Sequence, residues 1–427
     1  GYYSERTAGA RHVINDAGTM VIAALAQTPQ TSRLRIADYG AADGGTSREM
    51  WDMVIGHQRA NGDNRQIEML YSDLASNDFS TLFRMMQGMQ GDPTHAYQSR
   101  YDNVFVHGCG TGFHQQLMAD ASLNLGFSAT AMHYVSVKPM EIPTHVHAAC
   151  ADAESRAAYA KQAAQDWEHI LLARAAELIP GGRFICLNFG IDEEGRYLGN
   201  TGGQHMFDHF HKFWLALYED GAITADEYKR ASFAQYYRTM DEFCAPFNDP
   251  DSAVSKAGLT LKSCHSKLTK CPYEAAFLAA GGVGGTMSNM AYANSLIPTM
   301  RSWSETVFRT ALEGRDETDI SQIVDRFYDA YRDDVAAEVD PVTPLEFVAE
   351  THARIAPGLA WKEHKSFVDL LLCQPQGAVE VRDRVGKVDT RDNDVTNQVR
   401  EAVFAVLEDE RVTACREAFD PLPLSGI

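Results

Sequence analysis

The chain has 427 residues, is 45% hydrophobic and carries a formal net charge of −20. It can bury a large core, as one enlarged α/β domain or as a core plus a cap. The acidity excludes nucleic acid and anionic membrane surfaces as expected partners. No stretch approaches the length of a membrane span, and Gly1-Tyr2-Tyr3 is expected to open no secretory signal. The eight cysteines form no framework, which fits reduced thiols and a cytoplasmic setting. Cys264-His265 with Cys271 lacks a second ligand pair, so no metal site is expected.

Residues 13–25 read as a helix leading into a first strand. Residues 33–47 carry the most information. The apolar run Leu34, Ile36, Ala37 ends in an acid, Asp38, turns on Gly40, and passes Gly44 and Gly45 to a helix start at Ser47. A buried strand feeding a glycine-rich turn and a helix N-terminus is the layout of a nucleotide site in an open α/β sheet. A dinucleotide fingerprint needs glycine where Ala42 stands, and a phosphate-binding loop needs a lysine after the glycines. Asp-x-Gly-x-x-x-Gly instead suits a ligand without phosphates, such as S-adenosylmethionine. Glycines that merely pack a strand-turn-helix are the other reading.

A second strand is expected at 66–71, ending before Ser72-Asp73, and a third at 103–107, running into Gly108-Cys109-Gly110-Thr111-Gly112. A helix over 156–179 carries Trp167, Ile170, Leu171 and Leu178 on one stripe. Pro180-Gly181-Gly182 is expected to stop it before a strand at 184–189. Strands alternating with helices imply a mostly parallel sheet, with ligand chemistry at its carboxyl edge near Asp38, Asp73, Gly108 and Phe189. Residues 201–241 are mainly helical and rich in aromatics, as a cap would be. Two further strands are expected at 259–268 and 366–373, separated by helices at 287–312 and 319–339. Asp340-Pro341-Val342-Thr343-Pro344 punctuates a connection, and from 374 the chain is charged, with one helix at 395–407.

In this order the pieces resemble the SABATH family of S-adenosylmethionine-dependent methyltransferases, best known for methylating carboxyl groups of small acids such as salicylate, benzoate and jasmonate. Some members methylate ring nitrogens. The likeness runs from Tyr3-Ser4-Glu5-Arg6-Thr7 through Ile36-Ala37-Asp38-Tyr39-Gly40 and Ser72-Asp73-Leu74 to Asn77-Asp78-Phe79 and Leu82-Phe83. It continues with 108–113, Met132-His133-Tyr134-Val135-Ser136, Arg174-Ala175-x-Glu177-Leu178, Gly181-Gly182, Gly221-Ala222-Ile223, Asp241-Glu242-Phe243 and the strand at 366–373. The resemblance implies a class I methyltransferase, Rossmann-like α/β with a mostly parallel seven-stranded sheet and a helical cap. It divides the chain into a cofactor-binding core (1–200), a cap insertion (201–256), return strands with further cap helices (257–375) and a C-terminal extension (376–427). The implied cofactor is S-adenosylmethionine, with S-adenosylhomocysteine as product and no metal required; a homodimer is the expected assembly.

The resemblance also assigns residues. Tyr3, Thr7, Asp38, Gly40, Asp73, Leu74, Gly112 and Phe113 fall on cofactor positions. Asp73 would accept the ribose hydroxyls, or be a solvated loop acid; Phe113 would stack on adenine, or be core. Relatives clamp the acceptor carboxylate with a glutamine and a tryptophan, whose positions hold Ala10 and Tyr134. Tyr134 keeps one donor and Ala10 has none, so His133, Arg11 or His12 would replace it, unless these are an ordinary core histidine and solvated side chains. Phe207 and Tyr236 fall on aromatic pocket walls, or are cap core. The expected reaction is O-methylation of a small carboxylic acid, with Tyr134 and His133 as the catalytic residues. A phenol or nitrogen acceptor would make His133 a base. A nicotinamide-dependent oxidoreductase, disfavoured by Ala42, and a non-catalytic cofactor-binding partner subunit remain the other classes.

Overall fold

The computed structural model describes residue 4 and residues 6–199, 206–269 and 271–337, together with the strands Glu346–Glu350 and Asp369–Cys373, all within the unit Gly1–Gln374. Tyr3, the connection at 340–344, the extension 376–427 and its expected helix lie outside the described residues. The single helix expected at 13–25 is two, α1 (Ala8–Asp16) and α2 (Gly18–Ala26). At the corner, Gly18 lies against the Met53 side chain of α3 (Arg48–Ala60), whose terminal methyl occupies the space that a Cβ would take. β1 (Arg33–Tyr39) precedes α3; β2 (Gln66–Ser72), α4 (Phe79–Met86), α5 (Tyr97–Arg100) and β3 (Val104–Cys109) follow.

β4 (Leu123–Ala129) is a central strand that the sequence pattern does not announce, because Asn124, Gly126 and Ser128 interrupt its apolar run. All seven residues are buried. Burial is tolerated because each interruption is matched. Asn124 Oδ1 accepts from the Arg35 amide at 2.9 Å, and Ser128 Oγ donates to the Tyr39 carbonyl at 2.9 Å. Gly126 fits between the Phe184 and Tyr39 rings, where a Cβ would come within 2.9 and 3.1 Å. α6 (Ala153–Glu177) is N-capped by Asp152. β5 (Leu178–Leu187) begins at once, so Pro180-Gly181-Gly182 lies inside the strand rather than ahead of it. The pairing with β4 shifts register between Leu123 and Leu125, which accommodates these residues.

Beyond β5 come β6 (Gly190–Ile191), α7 (Met206–Glu219), α8 (Ala225–Arg230), β7 (Arg238–Thr239), α9 (Met240–Asn248) and α10 (Ala253–Lys256). α7 and α8 build an aromatic cap core with later helices, centred on Phe210, Trp214, Phe233, Phe308 and Phe327. α9 and α10 do not belong to it. Phe243 and Val254 pack with Trp167 of α6 against the sheet, and Trp167 Nε1 donates to the Phe243 carbonyl at 3.1 Å. The cap expected at 201–256 therefore ends near Thr239.

The strand expected at 259–268 is two, β8 (Thr260–Ser263) and β9 (His265–Thr269), parted at Cys264. α11 (Pro272–Ala279), α12 (Asn289–Ala311) and α13 (Glu317–Ala337) complete the described cap; β9 pairs with β10 (Glu346–Glu350), and β11 (Asp369–Cys373) returns to the main sheet. The seven-stranded order is β3-β2-β1-β4-β5-β11-β8. β1 to β5 are mutually parallel and β11 runs antiparallel between β5 and β8, the mostly parallel sheet expected. Tyr39 pairs with both Ser72 and Ser128, which lines up the carboxyl ends of the central strands. The site forms on that edge.

Candidate active site

Asp38 ends β1. Its Oδ2 accepts from Ser47 Oγ at 2.6 Å and Trp51 Nε1 at 2.8 Å, fastening the strand to α3. Burial pushes its carboxyl up to about 6, against the pull of those two donors. The turn beyond is left-handed at Gly40 (φ +73°) and Ala42 (φ +48°). A Cβ on Gly40 would lie 2.4 Å from Ala131 Cβ. Asp73, at the end of β2, holds this turn: Oδ2 accepts from the Ala42 amide and Oδ1 from the Leu74 amide, both at 2.7 Å. Burial raises the Asp73 carboxyl and these amides oppose it. A carboxylate oxygen accepts more than one bond, so capacity remains for a ligand.

Around Asp73 gather an exposed ledge, Leu74 (61% exposed), and the loop after β3. Gly112 approaches Leu74 so that a Cβ would be 3.4 Å from its Cδ2, and Phe113 lies 3.7 Å from the Cβ position of Gly40. Gly40, Asp73, Leu74, Gly112 and Phe113 thus lie together at the carboxyl edge of the sheet. A carboxylate between an apolar ledge and an aromatic ring fits an adenosyl group with a ribose diol and no phosphates. Arg174 and Glu177, a motif in the sequence with no assigned role, anchor this loop. Arg174 donates to the Phe113 and Gln115 carbonyls at 2.9 and 2.8 Å, and Glu177 accepts from the Leu117 and Met118 amides.

A cleft of about 690 Å³, its open mouth included, runs between the ends of β4 and β5 and the cap. Thr7, Ala10, Thr130 and His133 line it from the core; Gln235, Tyr237 and Trp303 line it from the cap. Thr130, a β-branched residue at φ +51°, is strained where β4 enters the cleft. His133 is boxed by the rings of Tyr134, Phe189 and Tyr237 at 4.6, 4.9 and 5.7 Å, with Nδ1 3.3 Å from Asn188 Oδ1. Burial pushes its imidazole down to about 3, so it is neutral at physiological pH. The turn bearing it is tied to α6 by fully buried Arg238, which donates to the Met132 and Ala163 carbonyls, both at 2.7 Å.

Tyr134 is 37% exposed and bridges Gln235 in an antiparallel pair flanked by Val135 N–H to Ala234 O (3.0 Å) and Tyr236 N–H to His133 O (2.9 Å). That zipper brings the buried Gln235 amide beside the Tyr134 phenol. Gln235 Oε1 accepts from Tyr237 at 3.5 Å. No spacing signal in the sequence links these two positions.

At the acceptor side Phe207, Tyr236 and Arg11 are placed away from the cleft, and His12 takes its solvated alternative. Phe207 is buried in the cap core, stacked on His147 at 3.9 Å, and its neighbour Met206 lines the cleft instead. Tyr236 donates to Glu242 at 2.8 Å on the α6 side, and Tyr237 faces the cleft, because successive residues of an extended segment point to opposite faces. Arg11 donates to the Ser4 carbonyl and lines a separate cavity with Arg48 and His95. His12 is exposed on α1.

A family model described as SAM dependent carboxyl methyltransferase matches residues 3–342. The chain belongs to that family. Among curated relatives, indole-3-acetate O-methyltransferase 1 of Arabidopsis thaliana is 24% identical over 223 residues, 48% of this chain and 58% of that protein. Gibberellic acid methyltransferase 1 of the same plant is 25% identical over 236 residues, covering 50% and 61%. O-methyltransferase acrG of Aspergillus aculeatus is 31% identical over 172 residues, covering 39% and 41%. The chain thus matches about three fifths of the length of the two plant proteins. A solved structure of loganic acid methyltransferase with SAH superposes with a TM-score of 0.63 at 15% identity, over 88% of this chain and 97% of that one, which shows the shared fold. Among the described residues, no helix of this carboxyl methyltransferase family member is long and apolar enough to cross a membrane.

The buried His133 gives a pH prediction. Its folded value lies below its unfolded one, so the unfolded chain binds the extra proton. The stability that His133 contributes is present above the unfolded value near 6.5. It is lost progressively as pH falls below that value toward 3, because the unfolded chain takes up a proton that the buried imidazole refuses. Urea unfolding of the wild type against His133→Gln between pH 7 and 5 should show a gap that closes on acidification. A constant gap would refute this.

Proposed function

We propose that this chain transfers a methyl group from S-adenosylmethionine to a carboxylate oxygen of a small organic acid with a flat apolar body, giving its methyl ester and S-adenosylhomocysteine. The observation that carries this reading is the chemistry of the cleft wall. Among its described lining residues there is no carboxylate, lysine or arginine, and its titratable imidazole is held neutral. Such a wall offers neither a repelling charge nor a strong base. It suits an acceptor that is already a nucleophile at neutral pH, as a carboxylate is.

Asp73 would hold the ribose, Phe113 and Leu74 the adenine, and Thr7 would close the N-terminal side. When bound, the cofactor supplies an electrophilic methyl group on a sulfonium. The chain's own part is orientation and dryness. Tyr134 and Gln235 would donate to the carboxylate and aim one oxygen in line, a contribution of about 7–11 kcal/mol in favourable cases. Neutral donors serve here because a stronger clamp would stabilise the ground state. Gln235 thereby supplies from the cap the amide that Ala10 lacks. His133 would position Tyr134 through ring contact; an imidazole pushed down to about 3 is a poor base for a phenol or nitrogen acceptor. A cytoplasmic setting, supported by thiols at Cys109, Cys150 and Cys244, and a homodimer complete this reading.

Turnover to S-adenosylhomocysteine with a panel of aromatic and unsaturated acids tests the reading, and no turnover with any acid would favour a non-catalytic subunit. Tyr134→Phe and Gln235→Leu should each lower kcat/KM for acids by roughly ten- to a hundredfold, the loss of one donor to a charged group at about 1.5–3 kcal/mol. Cofactor affinity by calorimetry should stay unchanged in both. A large loss in His133→Gln with indifference to Tyr134→Phe would reject carboxyl methylation.

A further inference from the structure

A second cluster lies away from the methyl-transfer chemistry, where residues 145–150, ahead of α6, meet the first turn of α7. His145 Nε2 stands 3.0 Å from Asp208 Oδ1. A ligand atom from each of His145, Cys150 and Asp208 lies within 4.8 Å of the other two. The His211 ring, one helical turn from Asp208, stacks on His145 at 4.7 Å. The two runs are 58 residues apart in sequence (His145-x-His147-x-x-Cys150 and Asp208-x-x-His211), so neither reads as a ligand set alone.

We propose that His145, Cys150 and Asp208, with water as the fourth ligand, form a zinc site that fastens the segment ahead of α6 to the start of α7. Imidazole, thiolate and carboxylate together are a zinc donor set, and the sulfur disfavours magnesium or calcium. Ligand atoms around a tetrahedral zinc lie about 3.3–3.8 Å apart, so closing the cluster requires roughly 1 Å of side-chain movement. Asp208 is 54% exposed at its side chain and can make that movement. The His211 ring packs on His145 and holds that imidazole in place, while its own Nδ1 faces the Tyr228 hydroxyl at 3.4 Å. Tyr197 Oη, 3.3 Å from Cys150 Sγ, is placed to donate to a bound thiolate. One contact must open. The His147 amide donates to His145 Nδ1 at 3.2 Å, and a metal on Nε2 moves the ring proton to Nδ1. The site would pin the start of α7, whose Met206 lines the acceptor cleft, and the metal takes no part in methyl transfer.

The test is a zinc titration of the chelator-treated full chain against a chromogenic chelator. One equivalent should bind with a Kd at or below about 1 μM. Cys150→Ser and Asp208→Asn should weaken binding at least about tenfold, while Cys244→Ser should not. Cobalt in place of zinc should give a thiolate-to-cobalt charge-transfer band that Cys150→Ser abolishes and Cys244→Ser keeps. Cofactor binding by the variants reports that they are folded, and Asp208→Asn carries the test if Cys150→Ser is not. No stoichiometric zinc in the wild type, or a cobalt band that survives Cys150→Ser, would overturn the proposal.

Discussion

Arg174→Met is expected to destabilise the protein by about 3–5 kcal/mol and to weaken cofactor binding at the same time. Arg174 and Glu177 have no solvent exposure at their side chains, and their two hydrogen bonds are 2.7 and 2.8 Å long. Glu177 also accepts from the Tyr39 hydroxyl, and the Arg174 guanidinium lies 4.0 Å over the Tyr39 ring. Removing the arginine leaves a carboxylate buried without its cation, the most damaging way to break such a pair. It also frees the carbonyls of Phe113 and Gln115. The double variant Arg174→Met with Glu177→Leu separates the two effects. It should recover much of the stability, because no buried charge remains. It should not recover cofactor affinity, because the loop carrying Phe113 still lacks its anchors. Urea unfolding and calorimetry read the two quantities. A loss under about 1 kcal/mol in the single variant, or full affinity in the double one, would refute the argument.

Asp73→Ala is the second large effect, on ligand binding rather than folding. Loss of a carboxylate that accepts from a ribose diol should weaken binding by about 1.5–3 kcal/mol, or roughly ten- to a hundredfold. Asp73 also restrains Ala42 in its left-handed conformation, and that restraint is lost too. S-adenosylmethionine and S-adenosylhomocysteine share the ribose, so both should weaken by the same factor. Asp73→Asn retains one acceptor and should fall between wild type and alanine. An unchanged affinity in folded Asp73→Ala, or a loss confined to S-adenosylmethionine, would show that the carboxylate does not hold the ribose.

What the sequence by itself determined is what short spacing controls. The β1 turn, with Asp38, Gly40 and Asp73 at strand ends, follows from hydrophobic patterning and glycine positions within a few residues of one another. So do α6, α12 and α13, whose apolar stripes repeat at helical spacing. A mostly parallel sheet with its ligand edge near Asp38 and Asp73 follows from the alternation of strands and helices along the chain, whereas its seven strands were implied only by the family resemblance.

Only the tertiary structure decided the rest, because the deciding partner in each case is far away in sequence. β4 is a strand despite Asn124 and Ser128, since Arg35 and Tyr39, 89 residues earlier, take their hydrogen bonds. Gln235 meets Tyr134 through a backbone pairing across 101 residues. Local composition cannot choose between Phe207 and Met206, or between Tyr236 and Tyr237, as cleft walls: the choice depends on which way the segment is rotated, and packing against α6 and the cap core sets that rotation. Arg11 sits one position from Ala10, yet the pull of the Ser4 carbonyl turns it into another cavity. Short-range pattern specifies which elements form and where their ends lie. Which side chains face one another across the cleft is settled only when the cap docks, by contacts that no local spacing encodes.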